Sequence, residues 1–568
     1  MNGKKIKINA KLSIIINVGL IIILIIFLGL FWAYENNKKD YEKGGKEQAG
    51  LDSEPISASS FLTGSELYNE MVEATDYDMK LVLDSEKKIL SGVVDISIIN
   101  NTDDYISELY LRNYASAIIG KKTIKSVSIN KKELNYIESG AGNVTKDANI
   151  KIDKKDKKNK STDIGSLIEV HLDEKMKPRE SINLKVEYSV DIPKQKGRFG
   201  YTKSDKDYIY QLSYCFPVLD SYIDGKWTKH PYIENAESNF SKVANYSIEI
   251  KVPDKYTVIS SGQEKKKDNI YVIKADNVRD MAIVVANNMK KLSSKVDDIG
   301  INYYFPKFKN MDRYTSFVLE SAMESLEMYI NKFGKYPYDE IDVVSCYYRS
   351  GMEFPGLILV GLPDIKNMND IDTRGVKDTT QVVAHEMAHQ WFWVSIGNDQ
   401  YLDPWLDEAF AEYCEDILFP RDSKTYKEAF KSDMERSNSE DINEIDELLN
   451  DSEEEMNMKI EQRDVGKYIN EPYYKYLRYY KPNGLDKKIL DKELYSSYVY
   501  TNGSYFLYEL EKKMGSKTFF KMMKDYYKTY YLKEVTGADF INIIYKYNDP
   551  NVVSEVINKY ISPDYFMK

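Results

Sequence analysis

The pattern of hydrophobic and polar positions divides the chain into three stretches. From Leu12 to Tyr34 there is no charged residue, and Ile, Leu and Phe dominate. Between about residues 70 and 300, apolar and polar side chains alternate with a period of two, which is typical of strands with one buried face. After about residue 305, the period becomes that of amphipathic helices. The pattern predicts a multidomain α+β protein in which an all-β domain precedes a mainly helical domain.

These changes in pattern set the expected domain boundaries, and a chain of 568 residues is too long for a single core. The β domain should be a sandwich or a broad curved, saddle-like sheet, and the helical domain should include a small β-sheet. The expected segments are a short tail at 1–11, a transmembrane helix at 12–34, a flexible linker at 35–69, the β domain at 70–304 and the helical domain at 305–568.

The apolar stretch at residues 12–34 is long enough to cross a bilayer as one helix. A cleavable signal peptide is the alternative, but the run is long and lacks a small-x-small cleavage site. Lysines stand on both sides of the stretch, so their number does not set its orientation. A long domain after a short tail favours export of that domain. We therefore expect a single-pass anchor in the cell membrane with the remaining domains extracytoplasmic.

The elements within the two domains are predicted from the same periodicities. A helix over Thr315–Phe333 should end at Gly334, and a loop over Ser350–Gly356 should separate two short β runs. Residues 425–491 are expected to form polar helical cover, and the last 75 residues should be helical. The predicted strands are Tyr77–Asp84, Ile89–Asn100, Ile168–Leu172, Ile182–Val190, Tyr246–Val252, Ile270–Ala275, Met281–Val285, Ile341–Val344 and Leu357–Val360.

Composition excludes several classes of protein. The net charge of −11, without a basic stripe that contains aromatic residues, argues against a nucleic-acid partner. Three widely spaced cysteines indicate neither a disulfide framework nor a zinc ribbon. Of the four histidines in the chain, His171 and His230 are expected to be structural.

The other two histidines belong to a His-Glu-x-x-His pattern, His385, Glu386 and His389. The pattern lies in a stretch, Thr379–Asn398, that is predicted to be one helix. Residues four apart lie on the same helix face, so both imidazoles can bind one metal ion. Glu386 lies about 100° further round the helix, where it can act on water rather than bind the metal.

A catalytic zinc site needs a third protein ligand. The stretch Pro404–Ile417 is predicted to be a helix that carries Glu408 and Glu412 one turn apart. Eighteen residues separate His389 from Glu408, which is enough for a turn and a returning helix. We predict Glu408 as the third ligand, with Glu412 as the second choice. A three-histidine site is excluded because Phe392 and Ser395 stand where a metzincin has Gly and His.

The pattern HEMAH, eighteen residues and then Glu408 within WLDEAFAEY resembles the gluzincin signature of the aminopeptidase N family. SGMEFPG (350–356) resembles that family's Gly-x-Met-Glu-Asn loop, and FGKYPYDEIDVV and VYTNGSYFLYELEKKMG are similar to its flanking segments. The resemblance is strong over 305–568 and weaker in the β domain, where YCFPVLDSYIDGKW carries it. It implies a curved β domain packed on a thermolysin-like zinc peptidase domain.

This resemblance implies roles for particular residues. His385, His389 and Glu408 would hold one Zn²⁺ per chain, and Glu386 would be the general base that takes a proton from the zinc-activated water. Glu353 would pair with the free α-ammonium group of a peptide substrate. The oxyanion donor would be Tyr500, with Tyr495 as second choice. Further substrate contacts are expected from Gly351, Met352 and Gln211.

The chain departs from the family pattern in the loop and beside the third ligand. Ser350 and Phe354 stand where Gly and Asn are usual, so the preferred N-terminal residue is open. Asp407 and Ala409 replace the common Asn and Gly. The expected function is a membrane-anchored zinc aminopeptidase acting on peptides with a free N-terminus. The alternatives are a zinc endopeptidase of the same fold, in which Glu353 is incidental, and a non-catalytic surface binding protein.

Overall fold

The computed structural model describes residues 63–139, 166–204, 206–232, 240–307, 312–347, 350–362, 373–418, 468–470, 477–480, 487–490 and 495–562. The expected membrane helix at 12–34 lies outside these residues, as do the tail and most of the linker. Within the described residues, no helix is both long enough and apolar enough to cross a membrane.

The first described element is the short helix α1 (Gly64–Leu67). Strands then form most of the described chain between residues 72 and 306. One more short helix, α2 (Tyr114–Ile119), interrupts them. The strands are β1 (Val72–Asp84), β2 (Ile89–Asn100), β3 (Ile106–Arg112), β4 (Ile124–Ile129), β5 (Lys132–Glu133), β6 (Tyr136–Ser139), β7 (Leu167–Met176), β8 (Ser181–Asp191), β9 (Phe199–Ser204), β10 (Asp207–Leu212), β11 (Val218–Leu219), β12 (Tyr222–Ile223), β13 (Lys226–Trp227), β14 (Ala244–Lys251), β15 (Thr257–Ser260), β16 (Gln263–Lys267), β17 (Ile270–Val278), β18 (Ile283–Ala286), β19 (Met289–Val296) and β20 (Ile299–Pro306).

Three sheets share one apolar core in this β-rich part, which we define as residues 72–286. The largest sheet has the order β16-β17-β14-β1-β2-β8-β4-β5, with β12 pairing with β1 and β13 with β12. The other two have the orders β15-β18-β10-β9 and β11-β3-β7-β6. In β1, Tyr77, Met79, Leu81 and Leu83 are buried and alternate with more exposed residues, because successive side chains of a strand point to opposite faces.

A fourth sheet adjoins the helices and has the order β19-β20-β21-β23-β22, with β21 (Glu340–Cys346), β22 (Gly351–Phe354) and β23 (Leu357–Gly361). It begins at β19, before the expected boundary at residue 305. The loop expected at residues 350–356 is wrong for Gly351–Phe354, which pair antiparallel with β23 at the sheet edge. The pairing satisfies backbone groups that a loop packed at this place would leave buried without partners.

The helical part follows, and we define it as residues 312–562. Its described elements are α3 (Asp312–Lys332), α4 (Thr373–Ala388), β24 (Ile396–Gly397), α5 (Trp405–Leu418), the antiparallel strands β25 (Leu477–Tyr480) and β26 (Lys487–Leu490), a π-helix (Ser496–Asn502), α6 (Gly503–Met514), α7 (Ser516–Tyr530), β27 (Lys533–Glu534), α8 (Gly537–Tyr547) and α9 (Pro550–Tyr560). The two paired strands show that the helical cover expected over 425–491 is wrong at 477–480 and 487–490. Most of the remaining interval, including the acidic segment 440–455, lies outside the described residues.

Helix α3 confirms the helix predicted over Thr315–Phe333 from its stripe of apolar residues. Val318, Ala322 and Leu326 are fully buried, at spacings that place them on one helix face. Gly334 follows with a φ of +137°, a conformation that L side chains rarely adopt. Its N–H donates to the carbonyl of Ile330 at 3.1 Å, which ends the helix.

An apolar cluster joins the β-rich part to the fourth sheet. Its members come from the sheet that contains β10, β15 and β18 on one side and from β21, β22 and β23 on the other. The buried residues are Ile209, Ile259, Ala282, Val284, Ala286, Val344, Cys346, Met352, Phe354, Leu357 and Leu359. Burial of this surface holds β22 at a defined place against the β-rich part.

Buried carboxyl groups lie where β16 meets the fourth sheet. Asp342 is 4% exposed, and burial together with the charge of Glu264 raises its pKa to about 8. Asn302 donates from Nδ2 to Asp342 Oδ1 at 2.9 Å. Burial raises the pKa of Glu264 to about 7, although Ser260 donates a hydrogen bond to this carboxylate. Asp342 therefore favours the protonated form at neutral pH, and Glu264 is protonated in about half of the molecules there.

We predict that folding is less stable at high pH for this reason. Both folded-state pKa values exceed the unfolded values near 4, so the contribution of the two groups is fully present below about pH 4 and lost as the pH rises through about 7 to 8. Asp342→Asn keeps the contact with Asn302 and should raise the free energy of unfolding at pH 8.5 by about 1 kcal/mol or more. Urea unfolding at pH 6 and 8.5 measures this change.

The control is Asp298→Asn, which changes an exposed carboxyl in the turn between β19 and β20. It should leave the pH dependence of unfolding as in the wild type. An Asp342→Asn protein whose stability falls with pH as steeply as the wild type would contradict the assignment.

Candidate metal centre

The two histidines of the His-Glu-x-x-His pattern lie at the end of α4. His385 is in its last turn, and His389 follows the final residue, Ala388. The N–H of His389 still faces the carbonyl of His385, at 3.4 Å, so both imidazoles leave the same side. The expectation of one helix through Asn398 is wrong, because the chain turns back after His389. In this turn Trp393 has a φ of +96°, which is unusual for a bulky residue.

Glu408 lies in the first turn of α5 and meets both imidazoles. Its Oε2 is 3.3 Å from His385 Nε2 and 3.5 Å from His389 Nε2. One donor atom from each of the three residues lies within 4.8 Å of the other two. The structure therefore brings together the three predicted metal ligands.

The other ring nitrogen of each histidine also has a neighbour. His385 Nδ1 lies 3.6 Å from Glu412 and 3.5 Å from Glu415. His389 Nδ1 lies 3.3 Å from the carbonyl oxygen of Phe392. Acceptors at Nδ1 keep the proton there and leave Nε2 free to bind a metal. Glu412, the second choice for a ligand, thus faces the far side of His385 rather than the centre.

Tyr500 lies in the π-helix and contacts Glu408, the predicted third ligand. Its hydroxyl donates to Glu408 Oε1 at 2.5 Å, and its ring stacks on His385 at a centroid distance of 5.9 Å. Gly503 makes this approach possible, because a Cβ there would lie 2.3 Å from the Cβ of Ala409. Tyr495, the second choice, packs edge-on against Tyr500 at 5.7 Å.

Glu386 points towards the edge strand β22. A Cβ on Gly351 would lie 2.2 Å from Glu386 Oε1, so only glycine leaves room for this carboxylate where it stands. Glu386 is 5% exposed, and its Oε2 is buried without a hydrogen-bond partner among the described residues. Burial and the charge of Glu353 raise the pKa of Glu386 to about 8.

Glu353 lies in β22 on the same strand face as Gly351. Its carboxylate, that of Glu386 and an imidazole nitrogen of His389 all lie within 4.8 Å of one another. Gln390 fixes this strand to the end of α4: its Nε2 donates to the carbonyl of Phe354, and its Oε1 accepts from the N–H of Gly356, both at 3.0 Å. The structure thus brings Glu353 to the centre.

Three further residues of β22 and β10 lie outside the set of metal ligands. Met352 and Phe354 are 2% exposed and belong to the apolar cluster that joins the fourth sheet to the β-rich part. Gln211 in β10 is 1% exposed, and within the part of the chain that the structure describes, both atoms of its side-chain amide are buried without a hydrogen-bond partner.

Buried carboxyl groups lie close together around the two histidines. Burial lowers the pKa of His389, but the charges of Glu353 and Glu408 outweigh it and raise the value to about 9. Burial and the charge of Glu408 raise the pKa of Asp407 to about 8. Buried carboxyl groups that lie this close together attract a positive ion.

The donor set fits zinc. Two imidazole nitrogens and one carboxylate oxygen converge from α4, its C-terminal end and α5, as in catalytic zinc sites. Neighbouring acceptors orient both rings, and the fixed carboxylates favour a divalent cation. His385, His389 and Glu408 are the residues that would hold it.

A His-Glu-x-x-His helix with a glutamate from the next helix defines the gluzincin class of zinc metallopeptidases. Residues 317–560 match the peptidase family M1 domain. Over 243 residues the chain is 23% identical to leucine aminopeptidase 2 of Candida albicans, which covers 42% of this chain and 35% of that protein. Over 107 residues it is 35% identical to endoplasmic reticulum aminopeptidase 2 of Bos taurus, which covers 18% and 11%.

The fold is also similar to a solved M1 zinc metallopeptidase from Deinococcus radiodurans, with a TM-score of 0.52, 14% identity and coverage of 88% of this chain and 96% of that chain. Residues 317–560 are therefore similar to the peptidase family M1 domain, and zinc is the metal that His385, His389 and Glu408 would hold. The two matches with the Candida and bovine proteins span about a third or less of those proteins.

Two features of the centre are absent from the sequence predictions. The first is Glu415, which lies beside His385 Nδ1. Its position could have been predicted, because Glu408, Glu412 and Glu415 have the i, i+4 and i+7 spacing of one helix face. The bridging side chain of Gln390 is the other, and no pattern in the chain points to it. His171 lies outside the centre, in β7, with Nε2 3.4 Å from Glu169.

We predict that the chain binds one zinc ion and that the Glu408 contact controls its affinity. Glu408→Ala removes a ligand and should abolish stoichiometric zinc. Glu415→Gln keeps all three ligands but weakens the negative charge at His385 Nδ1, and should weaken zinc binding by about 10-fold to 100-fold. Metal analysis and competition with a chromophoric chelator measure both.

His171→Gln is the control, because this half-exposed histidine lies in the β-rich part. It should leave zinc content and affinity unchanged. Unchanged affinity in Glu408→Ala would contradict the ligand assignment.

Proposed function

We propose that this protein is a zinc aminopeptidase that hydrolyses the first peptide bond of peptides with a free N-terminus. The observation that carries the proposal is the position of Glu353, whose carboxylate lies within 4.8 Å of donor atoms of Glu386 and His389. Metal binding by His385, His389 and Glu408 does not need Glu353, so this carboxylate is available to bind the substrate. A solved relative of similar fold is described as bound to a Tyr-Ser-Ala substrate.

Glu353 explains the selection of a free N-terminus by charge. It is 9% exposed, and a substrate ammonium group would pair with it in a space that excludes most water. An internal peptide segment would bury the carboxylate without that partner, at a cost of several kcal/mol in the limit of full burial. The buried amide of Gln211, which has no hydrogen-bond partner among the described residues, supports a further hydrogen bond to the substrate from β10.

Glu386 has the position of a general base that accepts a proton from the attacking water and passes it to the leaving amine. Burial and the charge of Glu353 raise its pKa, and the positive charge of bound zinc would lower this pKa again and favour the carboxylate form that accepts the proton. Zinc held by His385, His389 and Glu408 would supply a Lewis acid that polarises the scissile carbonyl group and lowers the pKa of water.

Tyr500 would stabilise negative charge that develops on the carbonyl oxygen. Its hydroxyl donates to Glu408 Oε1, so the group already points towards the centre, where it would donate to the carbonyl oxygen of the substrate. Gly351 leaves space for Glu386, and Met352 supports the strand through the apolar cluster; the two act on the substrate through Glu353 and Glu386.

A matched pair of substrates tests the proposal. The wild type should hydrolyse leucine p-nitroanilide and leave its N-acetyl derivative intact, and a zinc chelator should abolish the activity. Glu353→Gln removes the charge but keeps the shape, and should lower kcat/KM for the free amine by about 10-fold to 100-fold. Glu386→Gln should lower kcat by about 100-fold or more. Both variants should retain stoichiometric zinc.

Each alternative has its own result. Equal cleavage of both substrates, with an unchanged kcat/KM in Glu353→Gln, would indicate an endopeptidase. A chain without bound zinc and without peptidase activity would indicate a binding protein.

We propose in addition that residues 12–34 anchor the chain in the cell membrane as a single pass, with the peptidase part extracytoplasmic. The support is the uninterrupted apolar run in the sequence. Protease treatment of intact cells should release the folded peptidase part, since that part would face outwards. Release only after lysis would contradict this orientation.

A further inference from the structure

A histidine from the β-rich part contacts the connection between the two ligand-bearing helices. His230 follows β13, and its Nε2 lies 2.8 Å from Oδ2 of Asp399. The two side chains are only 8% and 1% exposed. The ring of Tyr401 covers the imidazole at a centroid distance of 4.6 Å. This polar contact therefore lies in a site that excludes water, where a hydrogen bond is worth most.

The other oxygen of Asp399 shapes the turn that leads into α5. Oδ1 accepts the N–H groups of Tyr401 and Leu402, at 3.0 and 3.1 Å. The backbone carbonyl of Asp399 accepts the N–H of Asp403 at 2.7 Å. Helix α5 begins two residues later, and Glu408 lies in its first turn. The position of Asp399 thus sets where α5 begins.

His230 is itself held by a buried ion pair. Asp220 accepts Thr228 Oγ1 at 2.9 Å and the N–H of Lys229 at 2.8 Å. Arg112 Nε lies 2.9 Å from Asp220 Oδ1, and their side chains are 1% and 0% exposed. The segment that carries His230 is therefore fixed to the core of the β-rich part.

We propose that the contact between His230 and Asp399 is a positioning device, through which the β-rich part sets the place of Glu408 relative to His385 and His389. The inference rests on the proposed function, because the distances that matter are those of a zinc site. Metal affinity depends on ligand positions to within a few tenths of an ångström. A change at His230 should therefore alter zinc binding, although the residue touches no ligand.

The opposite end of the same connection has its own support. Ile396 and Gly397 pair with Lys533 and Glu534 in a short parallel ladder, which holds the chain soon after His389. Loss of the His230 contact should therefore free the start of α5 more than the end of α4. The expected defect is a misplaced Glu408 in a folded protein.

The test compares two substitutions at position 230. His230→Phe keeps the ring beside Tyr401 and removes the hydrogen bond, whereas His230→Gln keeps a donor. His230→Phe should raise the Kd for zinc about tenfold and lower kcat with little change in KM, whereas His230→Gln should stay within about threefold of the wild type. Chelator competition gives the Kd, and thermal unfolding is followed in parallel.

A matched control separates positioning from stability. Tyr303→Phe removes a buried hydrogen bond to Ser345, 2.8 Å long, in the fourth sheet. It should lower Tm to a similar extent and leave the zinc Kd unchanged. If His230→Phe does not fold, Thr228→Val is used instead. This substitution removes the hydrogen bond from Thr228 to Asp220, which helps to hold the segment that carries His230, and it should raise the zinc Kd by a few-fold.

Two results would overturn the proposal: a His230→Phe protein with the wild-type zinc Kd, or equal zinc Kd values for His230→Phe and Tyr303→Phe. Where the His230→Phe protein does not fold, an unchanged Kd in Thr228→Val has the same meaning. A wild type that binds no zinc would instead overturn the proposed function. The two failures are therefore distinguishable.

Discussion

The carboxylate of Glu408 is the interaction on which the rest of the centre depends. One oxygen faces both imidazoles and the other accepts the Tyr500 hydroxyl, so a single side chain joins α4, α5 and the π-helix. A carboxylate buried at 6% exposure is stable there only because these groups surround it. The surrounding structure holds α5 close enough to α4 for Glu408 to reach both histidines.

Two glycines make this arrangement sterically possible. Gly503 lets α6 approach Ala409 closely enough for Tyr500, almost one turn earlier, to reach Glu408. Gly351 leaves the space that the Glu386 carboxylate occupies beside β22. In both places glycine is needed because a Cβ would clash with a neighbouring element, and neither glycine has an unusual backbone angle.

Carboxyl groups are concentrated where a cation is expected. Glu353, Glu386, Asp407 and Glu408 are all buried around His385 and His389, and such a group is costly until positive charge joins it. Zinc and a substrate ammonium group would each supply that charge. Asp342 and Glu264, whose pKa values burial also raises, lie away from these histidines, where β16 meets the fourth sheet.

The sequence by itself determined the elements whose signals are local. Periodicity predicted seven of the eighteen strands of the β-rich part and helix α3. The spacing of His385, His389 and Glu408 predicted the residues that the structure brings together. Local signals failed where a long-range contact decides the conformation: Gly351–Phe354 is a strand because β23 pairs with it, and the metal helix ends at Ala388 because the chain must turn back towards α5.

Only the tertiary structure decided what surrounds the predicted residues. The contact of Gln390 with β22, the position of Glu415 behind His385 and the link from His230 to Asp399 join residues that are distant in sequence or unmarked by any pattern. Phe354, which stands in the motif beside Glu353, belongs to an apolar cluster with the β-rich part. Local spacing can specify which side chains share a helix face, but packing between elements determines which of them meet.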